Sequence, residues 1–188
     1  RTVTGVQTCA LPISLQLLYS LGLKHVALLD VFVIAAGFVL RAIAGAVVLD
    51  VTISPWLLLC TFLLALFLAL CKRRHEKLLA EESGNTDSRA SLDAYDPRLL
   101  DVLIATTSAA TIVSYAIYTL TESTVEKFGT NRLGFTIPFV IFGVFRYLDL
   151  AYRHAKGERP EMVLLSDVPT LANLVLYGLT LVAIFLCH

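Results

Sequence analysis

Pro55-Trp-Leu-Leu-Leu-Cys-Thr-Phe-Leu-Leu-Ala-Leu-Phe-Leu-Ala-Leu-Cys71 runs without a break into Lys72-Arg73-Arg74-His75-Glu76-Lys77, and on this stretch the reading of the fold turns. Nothing between Pro55 and Cys71 is charged. A block of that length, wound as a helix, crosses a hydrocarbon layer of about 30 Å. The burst of cations that follows is what such a helix carries where it meets water. Four more apolar blocks share the pattern. The expected helices are Val26 to Leu49, Pro55 to Cys71, Leu99 to Leu120, Leu133 to Tyr152 and Thr170 to Cys187. Hydrophobic residues make up 57% of the chain, above the roughly 45–50% usual in soluble domains. That excess, gathered into blocks separated by short polar loops, predicts an all-α polytopic membrane helix bundle rather than a soluble helical core.

Several helix starts have local reasons. Ser54-Pro55 sets a hydroxyl before a proline at the first helical position, where the missing N–H costs nothing. Asp96-Pro97 repeats the device, and Pro138 lies early in its block, where it starts or kinks the segment. Lys72 to Arg98 reads as the largest loop, with Ser-Gly-Asn-Thr-Asp-Ser near its centre. No internal repeat or low-complexity tract is visible. Residues 3–13, VTGVQTCALPI, have neither helical nor strand period and resemble the translation of a DNA-sequencing library adapter. Residues 1–13 are therefore expected to be an artefact, and 14–188 one partial membrane domain.

Lysine and arginine set the expected orientation. Lys24 precedes the first block. Lys72, Arg73, Arg74, Lys77, Arg89 and Arg98 lie between the second and third, and Arg153, Lys156 and Arg159 between the fourth and fifth. The opposite side carries only Lys127 and Arg132. The basic side is expected to be cytoplasmic. The formal net charge of zero argues against a nucleic-acid binder. The four cysteines show no C-x-x-C spacing, so neither a disulfide framework nor a zinc site is expected.

The candidate chemistry lies at the basic side. Lys72, Arg73 and Arg74 suit a phosphate, because arginine forks take its oxygens in pairs and lysine adds a point charge. The same residues also suit topology and the helix dipole alone, and both readings stand. Glu76, four residues on, is placed to hold Lys72. Arg41 lies deep in the first block, where a charge needs protein or a wet cavity beside it. Gly37 and Gly45 share its face and leave room for a neighbour. Asp30, Arg146 and Asp149 stand near helix ends, and Arg146 can reach Asp149 three residues on. Asp167 either caps the last helix or lines an opening. The four histidines, His25, His75, His154 and His188, have no metal-ligand spacing. No P-loop, G-x-G-x-x-G or G-x-S-x-G is present.

Several segments in order resemble the UbiA-type prenyltransferase superfamily. They begin with Tyr19 through Leu23-Lys24-His25 and Phe38-Val-Leu-Arg41-Ala-Ile-Ala-Gly45-Ala46. Within the superfamily the match is nearest to the decaprenyl-phosphate phosphoribosyltransferase branch. The marks are Ile53-Ser-Pro-Trp-Leu-Leu-Leu-Cys-Thr-Phe62, Lys72-Arg-Arg-His-Glu76, Phe142-Gly-Val-Phe-Arg146-Tyr-Leu148 and Leu164-Leu-Ser-Asp167-Val-Pro169. Most superfamily members carry a second aspartate-rich, Mg²⁺-holding motif where this chain has Lys72, Arg73, Arg74 and Glu76. Exchanging acids for cations there suits a monophosphate lipid acceptor and a sugar diphosphate donor.

The resemblance implies the following. The five helices are the fifth to ninth of nine. The full-length enzyme is Mg²⁺-dependent and moves a 5-phosphoribosyl group from phosphoribosyl pyrophosphate to a polyprenyl phosphate such as decaprenyl phosphate, a step toward cell-wall arabinan. Lys72, Arg73, Arg74 and Glu76 bind phosphate groups, and Tyr19 and Lys24 stand at the cavity mouth. Arg41, Arg146 and Asp167 line the cavity. The Mg²⁺ ligands belong to a motif this stretch lacks, so the stretch alone is expected to be inactive. The pattern is compatible with a homo-oligomer. The competing readings are a prenyltransferase acting on an aromatic acceptor, against which the basic run counts, and a non-catalytic membrane protein.

Overall fold

A computed structural model describes residues 28–51, 53–83, 96–153 and 166–186. Among them every regular element is helical: α1 Leu29–Val48, α2 Pro55–Ser83, α3 Pro97–Leu120, α4 Glu122–Phe128, a 3₁₀ turn Arg132–Thr136, α5 Ile137–Arg153 and α6 Val168–Leu186. Among the described residues five helical spans are long and apolar enough to cross a membrane. The chain forms two compact units, divided between Thr107 and Ser108 within α3.

In the first unit α1 packs against α2. Val31 and Ala35 of α1 are buried, as are Cys60, Phe67, Leu70 and Cys71 of α2 and Leu100 and Ile104 of α3. The rings of Phe32 and Phe62 stand 5.9 Å apart and tilted, a favourable aromatic geometry. The end of α1 is tied off without glycine. Asp50 adopts φ 54, its N–H donates to the Val47 carbonyl, and the Val51 N–H donates to that of Ala46. This is the Schellman pattern, with an aspartate in the left-handed position glycine usually takes. At the other end Leu28 has φ 72, an uncommon conformation for a branched residue.

α2 departs from the expected boundaries. The loop expected from Lys72 is helical as far as Ser83. Glu76-Lys-Leu-Leu-Ala-Glu-Glu82 is built of strong helix formers, so nothing stops the helix at the charged run. Its 29 residues give a rod of about 43 Å, longer than the ~30 Å hydrocarbon layer. If Pro55 marks one edge of that layer, Arg73 to Glu76 lie about 27–32 Å along the axis, at the other edge. The Ser54 hydroxyl, expected to cap α2, is buried without a hydrogen-bond partner; its carbonyl instead accepts from Leu57 and Leu58. Asp96 does cap α3, taking the Arg98 N–H at 3.1 Å.

In the second unit the expected helix from Leu133 is divided. A 3₁₀ turn precedes α5, and Pro138 is its second residue. There a proline removes no helical bond, so it starts the helix rather than kinking it. The short α4 was not foreseen in the sequence; Gly129 ends it at φ 69. Hydroxyls tie this unit together. Tyr115 of α3 bonds Thr136 at 2.7 Å and Tyr177 of α6 at 3.2 Å, and Asn173 of α6 donates to the Phe139 carbonyl of α5 at 3.0 Å. Elsewhere threonines bond back to their own helix, as Thr106, Thr107 and Thr180 do. Hydroxyls satisfied in this way are tolerated where water is absent. Leu174, Val175, Leu179 and Val182 of α6 are exposed, an outward apolar surface suited to lipid.

Candidate functional site

The basic run of α2 is bound up with acids from two other helices. Arg73 donates through Nε to Asp30 of α1 and through Nη1 to Glu76 at 2.5 Å. Arg74 donates through Nε to Asp101 of α3 at 2.7 Å. Neighbouring positions on a helix point about 100° apart, so Arg73 faces α1 while Arg74 faces α3. Asp30 is 4% exposed. A carboxylate so far from water requires a counter-charge, and Arg73 supplies it.

This corrects the expected pairing of Glu76 with Lys72. Glu76 bonds Arg73 three residues before it. The two spacings are close in energy; the Asp30 carboxylate decides between them by drawing the Arg73 fork to where Glu76 also reaches it. Lys72 is exposed. The His75 Nε2 atom is buried and has no hydrogen-bond partner.

In the second unit Asp167 takes both Nε and Nη2 of Arg146, at 3.0 and 2.7 Å. Arg146 also donates to Asp149 at 2.9 Å, as its spacing predicted, and Arg153 donates to the other Asp149 oxygen. Asp167 caps α6 as well, accepting the Thr170 N–H at 3.0 Å and its hydroxyl at 2.6 Å. The Arg146 hydrogen bonds, and then those of Thr170, hold the Asp167 carboxyl well below the usual carboxylate range. One acid thus caps a helix and pins it to the cationic end of α5.

Arg41 lies apart, about 16 Å along α1 from Asp30. It is exposed, and its guanidinium rests over the Phe38 ring at 5.5 Å, a cation–π contact on its own helix. A methyl group at Gly37 would stand 3.7 Å from its Nη1. The structure therefore groups Lys72, Arg73, Arg74 and Glu76, groups Arg146 with Asp167, and leaves Arg41 by itself. Tyr19 and Lys24 lie outside the described residues. Sequence reasoning missed that the basic run pairs with Asp30 and Asp101; an acid near the start of each neighbouring helix, Asp30 in the first turn of α1 and Asp101 as the fifth residue of α3, was the signal available.

No family model matches the chain. Curated relatives do. A decaprenyl-phosphate phosphoribosyltransferase of Mycolicibacterium smegmatis is 34% identical over 165 residues, which is 84% of this chain and 51% of the relative. The chain is homologous to the decaprenyl-phosphate phosphoribosyltransferases. The Corynebacterium glutamicum protein of that name is 34% identical over 157 residues, covering 82% of this chain and 46% of the relative. That of Mycobacterium tuberculosis strain H37Rv is 32% identical over 158 residues, covering 82% and 50%. The chain spans about half the length of these transferases. The homology agrees with the resemblance carried by Lys72 to Glu76 and by the segments around Arg41, Arg146 and Asp167.

Proposed function

We propose that the full-length protein transfers a 5-phosphoribosyl group from phosphoribosyl pyrophosphate to a polyprenyl phosphate, decaprenyl phosphate by analogy, at the cytoplasmic face of a bacterial inner membrane. The observation that carries the reading is the alignment of more than four-fifths of the chain with transferases of that name, supported by a cation-rich run that closes the apolar part of α2, where a hydrocarbon edge is expected. A lipid phosphate and a soluble sugar diphosphate meet only at such an edge. In the step itself an oxygen of the lipid phosphate attacks C1 of the ribose. The C1–O bond to pyrophosphate breaks, and pyrophosphate leaves with the electron pair. No covalent intermediate with the protein is needed.

In this reading Lys72 offers a mobile point charge, Arg73 a guanidinium whose plane two carboxylates set, and Arg74 a guanidinium held through Nε by Asp101. Donors fixed beforehand cost nothing to reorganise as charge develops on the leaving group. A Mg²⁺ requirement belongs to the proposal, but the described residues do not supply its site. No three His, Cys, Asp or Glu among them are grouped to hold a metal, and Asp30, Glu76, Asp101, Asp149 and Asp167 each already bond an arginine. The product would be a precursor of cell-wall arabinan.

The test is transfer of ribose label into the lipid phase by membranes holding the full-length protein, given labelled phosphoribosyl pyrophosphate and decaprenyl phosphate. Parallel membranes receive labelled prenyl diphosphate and an aromatic acid. Label in the polyprenyl phosphate supports the reading; label on the aromatic acid instead overturns it.

A further inference from the structure

The geometry points to Asp30 as a positioning residue of the transfer site, acting through Arg73: it sets the plane of the Arg73 guanidinium so that the fork meets a substrate phosphate beside the basic run of α2. The inference rests on the transfer reading above.

Four observations converge. Among the described residues, Asp30 is the one buried side chain that carries a charge. Holding α1 to α2 does not by itself call for it, since an apolar pair of similar volume holds helices as well as a buried ion pair does. Next, Arg73 is gripped at two different nitrogens by carboxylates of two helices. One contact would leave the long side chain free to swing about it, whereas two fix the plane of the fork. The backbone contributes as well. Leu28, two residues before Asp30, is held at φ 72 and ψ −33, and a bulky residue persists there only where its surroundings over-determine it. Lastly, Arg73 stands about 27 Å along α2 from Pro55, close to the ~30 Å thickness of a hydrocarbon layer, so with Pro55 at one edge the grip falls near the depth of a lipid phosphate at the other.

Charge counting alone leads to the opposite expectation. Asp30, Arg73 and Glu76 together carry one net negative charge, so removing the Asp30 carboxylate makes the place more positive. If the basic run acted through charge only, Asp30→Asn would tighten phosphate binding. If Asp30 acts by aiming Arg73, the same change weakens it. The two accounts differ in sign.

The experiment uses the full-length protein in membranes, with rates expressed per folded enzyme. KM is measured for phosphoribosyl pyrophosphate and, separately, for decaprenyl phosphate, in the wild type, Asp30→Asn and Asp30→Glu. Asp30→Asn is expected to raise one of the two KM values about tenfold, the loss of roughly one charge-assisted hydrogen bond. Which value rises identifies the phosphate Arg73 meets. Asp30→Glu is expected to recover most of the loss. KM values that stay level or fall overturn the inference, as does an activity loss that only tracks the amount of folded protein. If Asp30→Asn does not fold, Arg73→Lys decides. It keeps the charge and an ion pair with Asp30 but loses the fork, so a raised KM supports positioning and a wild-type KM overturns it. A wild type that labels no lipid sinks the transfer reading itself and this inference with it, whereas an active wild type with an unperturbed Asp30→Asn sinks only the inference.

Discussion

Two ion pairs on consecutive residues of α2 should differ widely in strength. Arg73 and Asp30 have side chains 22% and 5% exposed, and Arg74 and Asp101 have side chains 18% and 45% exposed. Removing one member of a desolvated pair strands the other and costs about 3–5 kcal/mol. Asp30→Asn should fall at or below the low end, about 2–3 kcal/mol, because Glu76 still engages Nη1 of Arg73. Asp101 is wetted, so Asp101→Asn should cost about 0.2–1 kcal/mol. The difference, roughly 2 kcal/mol, is about thirtyfold in the unfolding equilibrium. The full-length protein would be unfolded reversibly by titrating its detergent micelles with dodecyl sulfate and following helical circular dichroism. Equal costs for the two variants, or a larger one for Asp101→Asn, would refute the idea that burial of Asp30 makes Arg73 its required partner.

Lys72→Ala should raise KM for a phosphate substrate several-fold and leave membrane insertion and stability within about 0.5 kcal/mol, because the side chain is exposed; kinetics beside a dodecyl sulfate titration checks both. Tyr115→Phe should cost about 0.6–1.7 kcal/mol through loss of its bonds to Thr136 and Tyr177, read from the same titration. Asp167 has a folded-state carboxyl depressed below its ordinary value of 3.8, so its clasp is complete above about pH 4 and fades as pH falls toward the lower folded value. The stability gap between wild type and Asp167→Asn should therefore be flat from about pH 8 to 5 and close only below about pH 4, as thermal melts would show. Chelating divalent cations should abolish transfer by the full-length protein and Mg²⁺ restore it; transfer that survives chelation removes the metal from the proposal.

The five spans were legible because each is an uncharged or nearly uncharged run long enough to cross a bilayer, a signal that needs no partner to be read. The far end of α2 was misread as loop, although Glu76-Lys-Leu-Leu-Ala-Glu-Glu82 favours helix at nearly every position. Charge there ends the apolar run without ending the helix. The cations of the basic run were legible too, but what they touch was not. Arg73 finds Asp30 43 positions away, Arg74 finds Asp101 27 away and Arg146 finds Asp167 21 away. Such pairings depend on the rotation of each helix about its axis, which core residues such as Phe67, Leu70 and Leu100 set by packing. Within one helix the sequence offers Glu76 two partners that differ by tenths of a kcal/mol, and a third residue on another helix breaks the tie.

That tie-breaking separates two roles that the composition of the run had merged. Six residues, Lys72 to Lys77, look like one basic patch, yet both arginines are claimed by carboxylates of neighbouring helices, while among the described residues Lys72 and Lys77 enter no ion pair. The division follows from the two cations. Guanidinium is planar, weakly hydrated and able to serve two acceptors at once, so it is the one that sinks between helices; ammonium keeps its water and reaches outward on a long stem. Mobile positive charge in this run of α2 is therefore lysine charge, and fixed donor geometry is arginine geometry. A phosphate arriving at the membrane edge would be drawn by the lysines and oriented by the arginines. Replacing an arginine here by lysine should accordingly damage binding while the count of positive charges, and with it the topology, stays the same.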